Sequence, residues 1–179
     1  MILLPIMVDS MKDNKYNFYA EKFIKYGDTD LCAALWLCQY QQNKNLDFMF
    51  QVAFLTAQAV EKYLKGYLIN THKEYQLLSG KQFYNPNLQE VLNNLKSLGH
   101  NLDKILEKCI KIDKGFEDLQ DNVDKLNQFS FLKYPDEVDK LIYSEEGLTI
   151  SSGRLYYNAK RVRKYVEKKL NITLKDIKI

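Results

Sequence analysis

Residues 53–69, AFLTAQAVEKYLKGYLI, limit the possible folds more than any other stretch. Ala53, Thr56, Val60, Tyr63 and Tyr67 recur in steps of three and four, with Leu64 and Leu68 beside them. That spacing draws one apolar stripe along a helix. Gln58, Glu61, Lys62 and Lys65 fall on the other side, and Glu61 precedes Lys65 by four residues, the favourable order for a helix ion pair. An isolated helix of this length cannot cover its own stripe, so other helices must pack on it. With only 7 Gly and 3 Pro in 179 residues, long uninterrupted helices are expected on both sides.

The rest of the chain supplies them. Residues 1–27 read as an N-terminal arm, with Tyr16, Phe18, Tyr19, Phe23 and Tyr26 available to pack it onto the bundle. A helix capped by Asp28 or Thr29 runs to about Gln42, with Leu31, Ala34, Leu35 and Cys38 as its stripe. The Asn43-Lys44-Asn45 turn forces the next helix, near Asp47 to Asn70, to return antiparallel. A third helix covers Leu88 to Leu98 and stops at Gly99. Asn101 caps a fourth, with Leu102, Ile105, Leu106 and Cys109 inside, and Gly115 breaks it. Phe116, Leu119, Val123 and Leu126 support a further helix, and Phe131 to Pro135 leaves it as an extended turn. Residues 140–151 fit a short β-hairpin or a plain loop. The last helix, Ser152 to Leu170, has Leu155, Ala159, Val162 and Val166 on one face, and 171–179 form a tail. The expected fold is all-α: an up-and-down bundle of about five helices over residues 28–170.

The A-x-x-x-EKYLKGYL helix, the Gly99-His100-Asn101-Leu102 step and the Lys133-Tyr134-Pro135 turn together resemble the HEPN family, small helical bundles of prokaryotic toxin–antitoxin and defence systems. The resemblance implies a homodimer that engages nucleotide or RNA, often coded beside a small nucleotidyltransferase. Nuclease members carry an R-x4-6-H motif in which arginine neutralises the scissile phosphate and histidine moves protons. This chain departs from it. Its arginines, Arg154, Arg161 and Arg163, all follow both histidines, His72 and His100. Lys65, six residues before His72, is the nearest substitute, and lysine lacks the two-pronged phosphate contact of a guanidinium. The resemblance therefore implies binding without catalysis, with Lys65, His72 and His100 as the residues an atypical ribonuclease would use.

For binding, the residues singled out are Lys62, Lys65, His100, Lys133, Arg154, Tyr157, Arg161 and Arg163. Lys62 and Lys65 form either a solvated face or the lining of a groove. His100, at a helix entrance, would fix the corner near Asn70–Lys73 or meet an anion at the helix N-terminus. Lys133 stands where the family has arginine in its R-Y-P turn. The last helix carries Arg154, Lys160, Arg161, Arg163, Lys164, Lys168 and Lys169 against Glu167 alone. Arg154, Arg161 and Lys168 repeat every seven residues, with Tyr157 nearby. This pattern suits phosphate contact with base stacking, an ordinary solvated exterior, or docking on the acidic run from Glu117 to Asp124.

The net charge of +3 permits a nucleic-acid partner without demanding one. Cys32, Cys38 and Cys109 lack metal-ligand spacing and read as buried free thiols of a reducing cytoplasm. No phosphate-cradling glycine loop, H-E-x-x-H or D-x-D pair occurs, so neither cofactor nor metal is expected. Nothing approaches the ~20 apolar residues of a membrane span. A helical scaffold that clamps another protein is the remaining alternative.

Overall fold

The computed structural model describes residues 18–44, 48–71, 93–130 and 151–172. Its main elements are α1 (Phe18–Lys44), α2 (Met49–Thr71), α3 (Leu102–Ile112), a 3-10 helix (Lys114–Leu119), α4 (Gln120–Ser130) and α5 (Ser152–Leu170). Residues 93–97 add a helical turn, and no strand occurs among the described residues. The protein is an all-α helical bundle.

α1 starts ten residues earlier than the capping residues suggest. Ala20, Ile24, Gly27, Leu31, Ala34 and Cys38 are all buried, in steps of four and three from end to end. Asp28 and Thr29 therefore lie inside the helix; the Thr29 hydroxyl donates back to the Lys25 carbonyl. Residues 18–27 belong to the bundle rather than to an arm. Of the aromatics expected to pack there, Tyr19 and Phe23 lie against the core while Tyr26 is exposed.

α2 is the central helix, packed by α1, α3, α4 and α5. Its stripe is buried as the spacing predicts, but Glu61 and Lys65 on the opposite, polar side are buried too. Two glycines bring α1 and α2 close. A Cβ on Gly27 would lie 2.7 Å from the Tyr63 ring, and one on Gly66 would lie 3.0 Å from Ile24. These contacts pair the start of α1 with the end of α2, as an antiparallel hairpin requires.

Gly99 adopts φ +62, the left-handed conformation glycine tolerates best, and turns the chain into α3. The Asn101 side chain caps α3 by accepting from the Lys104 amide, and Asn127 of α4 accepts from the Leu102 amide. Below α3, the 3-10 helix inserts Phe116 between Tyr67 and Tyr165, at ring separations of 4.5 and 4.8 Å. Burying one such ring is worth about 1.5–3 kcal/mol. The single helix expected from Phe116 onward is thus two, the 3-10 turn and α4.

α5 begins and ends where the sequence indicates. Ser151 caps it, and Asn171 closes it in the left-handed region at φ 52. It runs antiparallel to α1, with Tyr156 packed on the cluster of Ala34, Cys38 and Val52 and Arg163 meeting Asp28. On the outer side of α1, Trp36 is half exposed and stacks on Tyr40, ring centroids 5.0 Å apart. No helix among the described residues is long and apolar enough to cross a membrane. The Lys133-Tyr134-Pro135 turn, residues 140–150 of the hairpin-or-loop, residues 88–92 of the third helix and the tail from 173 lie outside the described residues.

Candidate functional site

Three groupings of polar side chains emerge from this packing. The first ties the long helices together. Arg163 of α5, only 4% exposed, donates from Nε to Oδ1 of Asp28 at 2.7 Å and from Nη2 to Oδ2 at 3.1 Å. The Tyr63 hydroxyl donates to the same Asp28 Oδ1 at 2.9 Å, and Glu167 stands 3.8 Å from Arg163. Burial pushes the Tyr63 phenol well above its ordinary range, and the Asp28 charge adds to the effect. Burial acts against the Arg163 charge, yet its bond to Asp28 and the neighbouring Tyr63 and Glu167 leave its pKa raised. This two-pronged, hydrogen-bonded pair is a structural clasp.

The second grouping lies on the far side of α2. Buried Glu61 accepts from Lys65 Nζ on one oxygen at 2.7 Å and meets His100 Nδ1 on the other at 2.9 Å. Lys65 also donates to the Gly99 carbonyl at 2.8 Å. The predicted Glu61–Lys65 pair forms, but in the interior rather than on a solvated face. A carboxylate only accepts, so Nδ1 of His100 carries the proton of this contact, while the ring stays 59% exposed. His100 meets α2 a turn and more before the corner at Asn70, at Glu61. Two of the first three amides of α3, those of Leu102 and Lys104, are already bonded to side chains, which reduces the donors that an anion at that N-terminus would use.

The third grouping is the outer face of α5. Arg154, Tyr157, Arg161, Lys164 and Lys168 are exposed there. Tyr157 is 63% exposed, while Tyr156 and Tyr165 pack against the core. Lys169 leaves this face to bond Asp113 at 2.5 Å, which lowers the Asp113 pKa and raises its own. None of the four cations carries an ion pair among the described residues, so the acidic run at Glu117–Asp124 does not neutralise them.

Of the residues singled out from sequence, the fold brings Lys65 and His100 together on Glu61, and Arg154, Tyr157 and Arg161 together on α5. Lys62 joins neither set; it forms an ion pair with Asp30 of α1. Arg163 turns inward, away from Arg161. His72 and Lys133 lie outside the described residues. Asp28, Tyr63 and Glu61 were not among the candidates. Extending the apolar spacing of α1 back through Ile24 and Ala20 would have put Asp28 inside a helix, where a carboxylate needs a partner.

Cys38 and Cys109 are buried and free, and burial raises both thiol pKa values. No group of three or more potential metal ligands occurs among the described residues. No family model, no curated protein and no solved structure matches the chain.

Proposed function

We propose that this chain is a nucleotide- or RNA-binding helical module of the HEPN type, without catalysis of its own, acting in a toxin–antitoxin or defence pair. The observation that carries the binding half of this reading is the cationic face of α5, exposed and without an ion pair to any other described residue. Arg154, Arg161, Lys164 and Lys168 stand exposed on one side of a helix whose only acid, Glu167, is engaged with Arg163. Free cations in a row attract a polyanion and release its counterions on binding. The small nucleotidyltransferase partner and the homodimer rest on the resemblance, with exposed Trp36 and Tyr26 as added support for self-association.

The test is RNA binding by the Arg154→Glu, Arg161→Glu, Lys168→Glu triple variant across a salt series. Four phosphate contacts give the native protein a log–log salt slope of roughly −3 to −4, and the variant, which reverses three of them, loses binding. Binding that ignores salt rejects the reading. Arg163 is left intact because its removal would damage the clasp rather than a binding surface.

Metal-independent RNA cleavage is a second reading, favoured by one contact. Glu61 holds His100 Nδ1 and leaves Nε2 open to solvent, the arrangement of an oriented general base. RNA that stays intact with purified protein in a chelator rejects this reading. Cleavage lost on His100→Ala, with the fold retained, would establish it.

A further inference from the structure

The outer face of α5 has an internal order that bears on which nucleic acid it takes. Arg154, Tyr157, Arg161, Lys164 and Lys168 follow one another in steps of three, four, three and four, so they form a single line along the helix. The fourteen-residue span covers about 21 Å at the rise of an α-helix. Four members are cations. The remaining one is a tyrosine, flanked along the line by Arg154 and Arg161.

That tyrosine is the informative member. α5 has three tyrosines, and the bundle uses two of them: Tyr156 and Tyr165 lie against the core. Tyr157 is left 63% exposed, a flat ring in water on an otherwise charged line. The cations alone would serve any polyanion. A planar apolar face between guanidinium groups suits a planar partner that is itself attached to a phosphate chain. In a duplex the base faces are hidden within the stack, whereas an unpaired strand presents them for stacking on an aromatic ring.

We infer that this face selects an unpaired nucleic-acid strand over a duplex. Tyr157 is the stacking platform, and Arg154, Arg161, Lys164 and Lys168 hold the phosphates. The inference rests on the nucleic-acid reading above and adds the strand state to it. RNA and single-stranded DNA share the required chemistry, so both belong in the test.

Fluorescence anisotropy distinguishes the outcomes. The probes are a labelled unstructured RNA of about 12 nucleotides, within the site sizes of such surfaces, the same sequence as DNA, and the RNA annealed to its complement. Titrations run over roughly 50 to 200 mM salt. Either single strand should bind at least about 5-fold more tightly than the duplex, the value of one stacked base. The salt slope should be about −3, from four contacts on a single strand. Tyr157→Ala should remove about 5-fold or more of single-strand affinity while leaving duplex affinity and thermal stability unchanged. Tyr157→Phe should retain the affinity. Tighter binding of RNA than DNA identifies RNA as the source, and the reverse identifies DNA; both support the inference. Equal affinity for strand and duplex with a silent Tyr157→Ala overturns it while leaving nucleic-acid binding in place. Absence of salt-dependent binding to every probe removes the underlying reading as well.

Discussion

α2 and α5 each interrupt an apolar stripe with charged residues, and the bundle treats the two sets in opposite ways. α2 is packed by four other helices, so Glu61 and Lys65 have no route to water and satisfy each other, Gly99 and His100. α5 sits at the rim. It sends one guanidinium inward, Arg163, and leaves Arg154, Arg161, Lys164 and Lys168 in solvent. Position in the bundle, rather than residue type, decides whether a charge is paired in the interior or left exposed to solvent. Arg161 and Arg163, two residues apart, show both outcomes on one helix.

The sharpest way to break this contrast is to remove a clasp partner. Asp28→Ala removes the two-pronged partner of the buried Arg163 guanidinium and the acceptor of the Tyr63 hydroxyl, and should cost about 3 kcal/mol in urea unfolding. Glu61→Gln keeps an acceptor for Lys65 but removes the opposing charge. It should cost about 2 kcal/mol, with loss of the His100 contact visible by NMR. Gly27→Ala drives a methyl into the Tyr63 ring and toward the Ala59 carbonyl. Such overpacking costs about 1–2 kcal/mol, and the Tyr63–Asp28 bond should weaken with it.

A smaller effect is expected at the surface pair of Asp113 and Lys169. The bond from Lys169, aided by the Gly115 amide, lowers the Asp113 pKa in the folded protein. The folded state therefore holds that proton less well than the unfolded chain. The stabilisation is complete above the ordinary aspartate range and disappears as pH falls through the lowered value. Asp113→Asn should lower the melting temperature at neutral pH and leave it nearly unchanged in acid. Arg161→Ala completes the series at the low end, within about 0.5 kcal/mol of native stability. A large loss there would contradict the distinction between rim and interior charges.

Much of this architecture was legible from the order of residues. The α2 stripe, the Gly99–Asn101 junction and both ends of α5 follow from spacing and capping chemistry, which are local. The start of α1 was missed because Asp28-Thr29 imitates a capping signal, and two polar residues outweighed the longer apolar period through Ala20 and Ile24. The burial of Glu61 and Lys65 was missed for a different reason. A helix surrounded by neighbours loses its solvent face, and nothing in the residues of α2 reveals how many neighbours it has. The exposed line on α5 was legible as a seven-residue repeat, but Arg163 was grouped with it by charge rather than by angle. The roles of Gly27 and Gly66 have no local signature, because the side chains they admit, Tyr63 and Ile24, are distant in sequence.

The stacked Trp36–Tyr40 pair has a practical consequence. Trp36 is the chain's single tryptophan, and it sits half in water on the outside of α1 rather than in the core. Its fluorescence will change little when the interior comes apart, so circular dichroism is the signal to follow in the melts above. The same placement makes the indole a built-in optical reporter for anything that settles on that side of the protein.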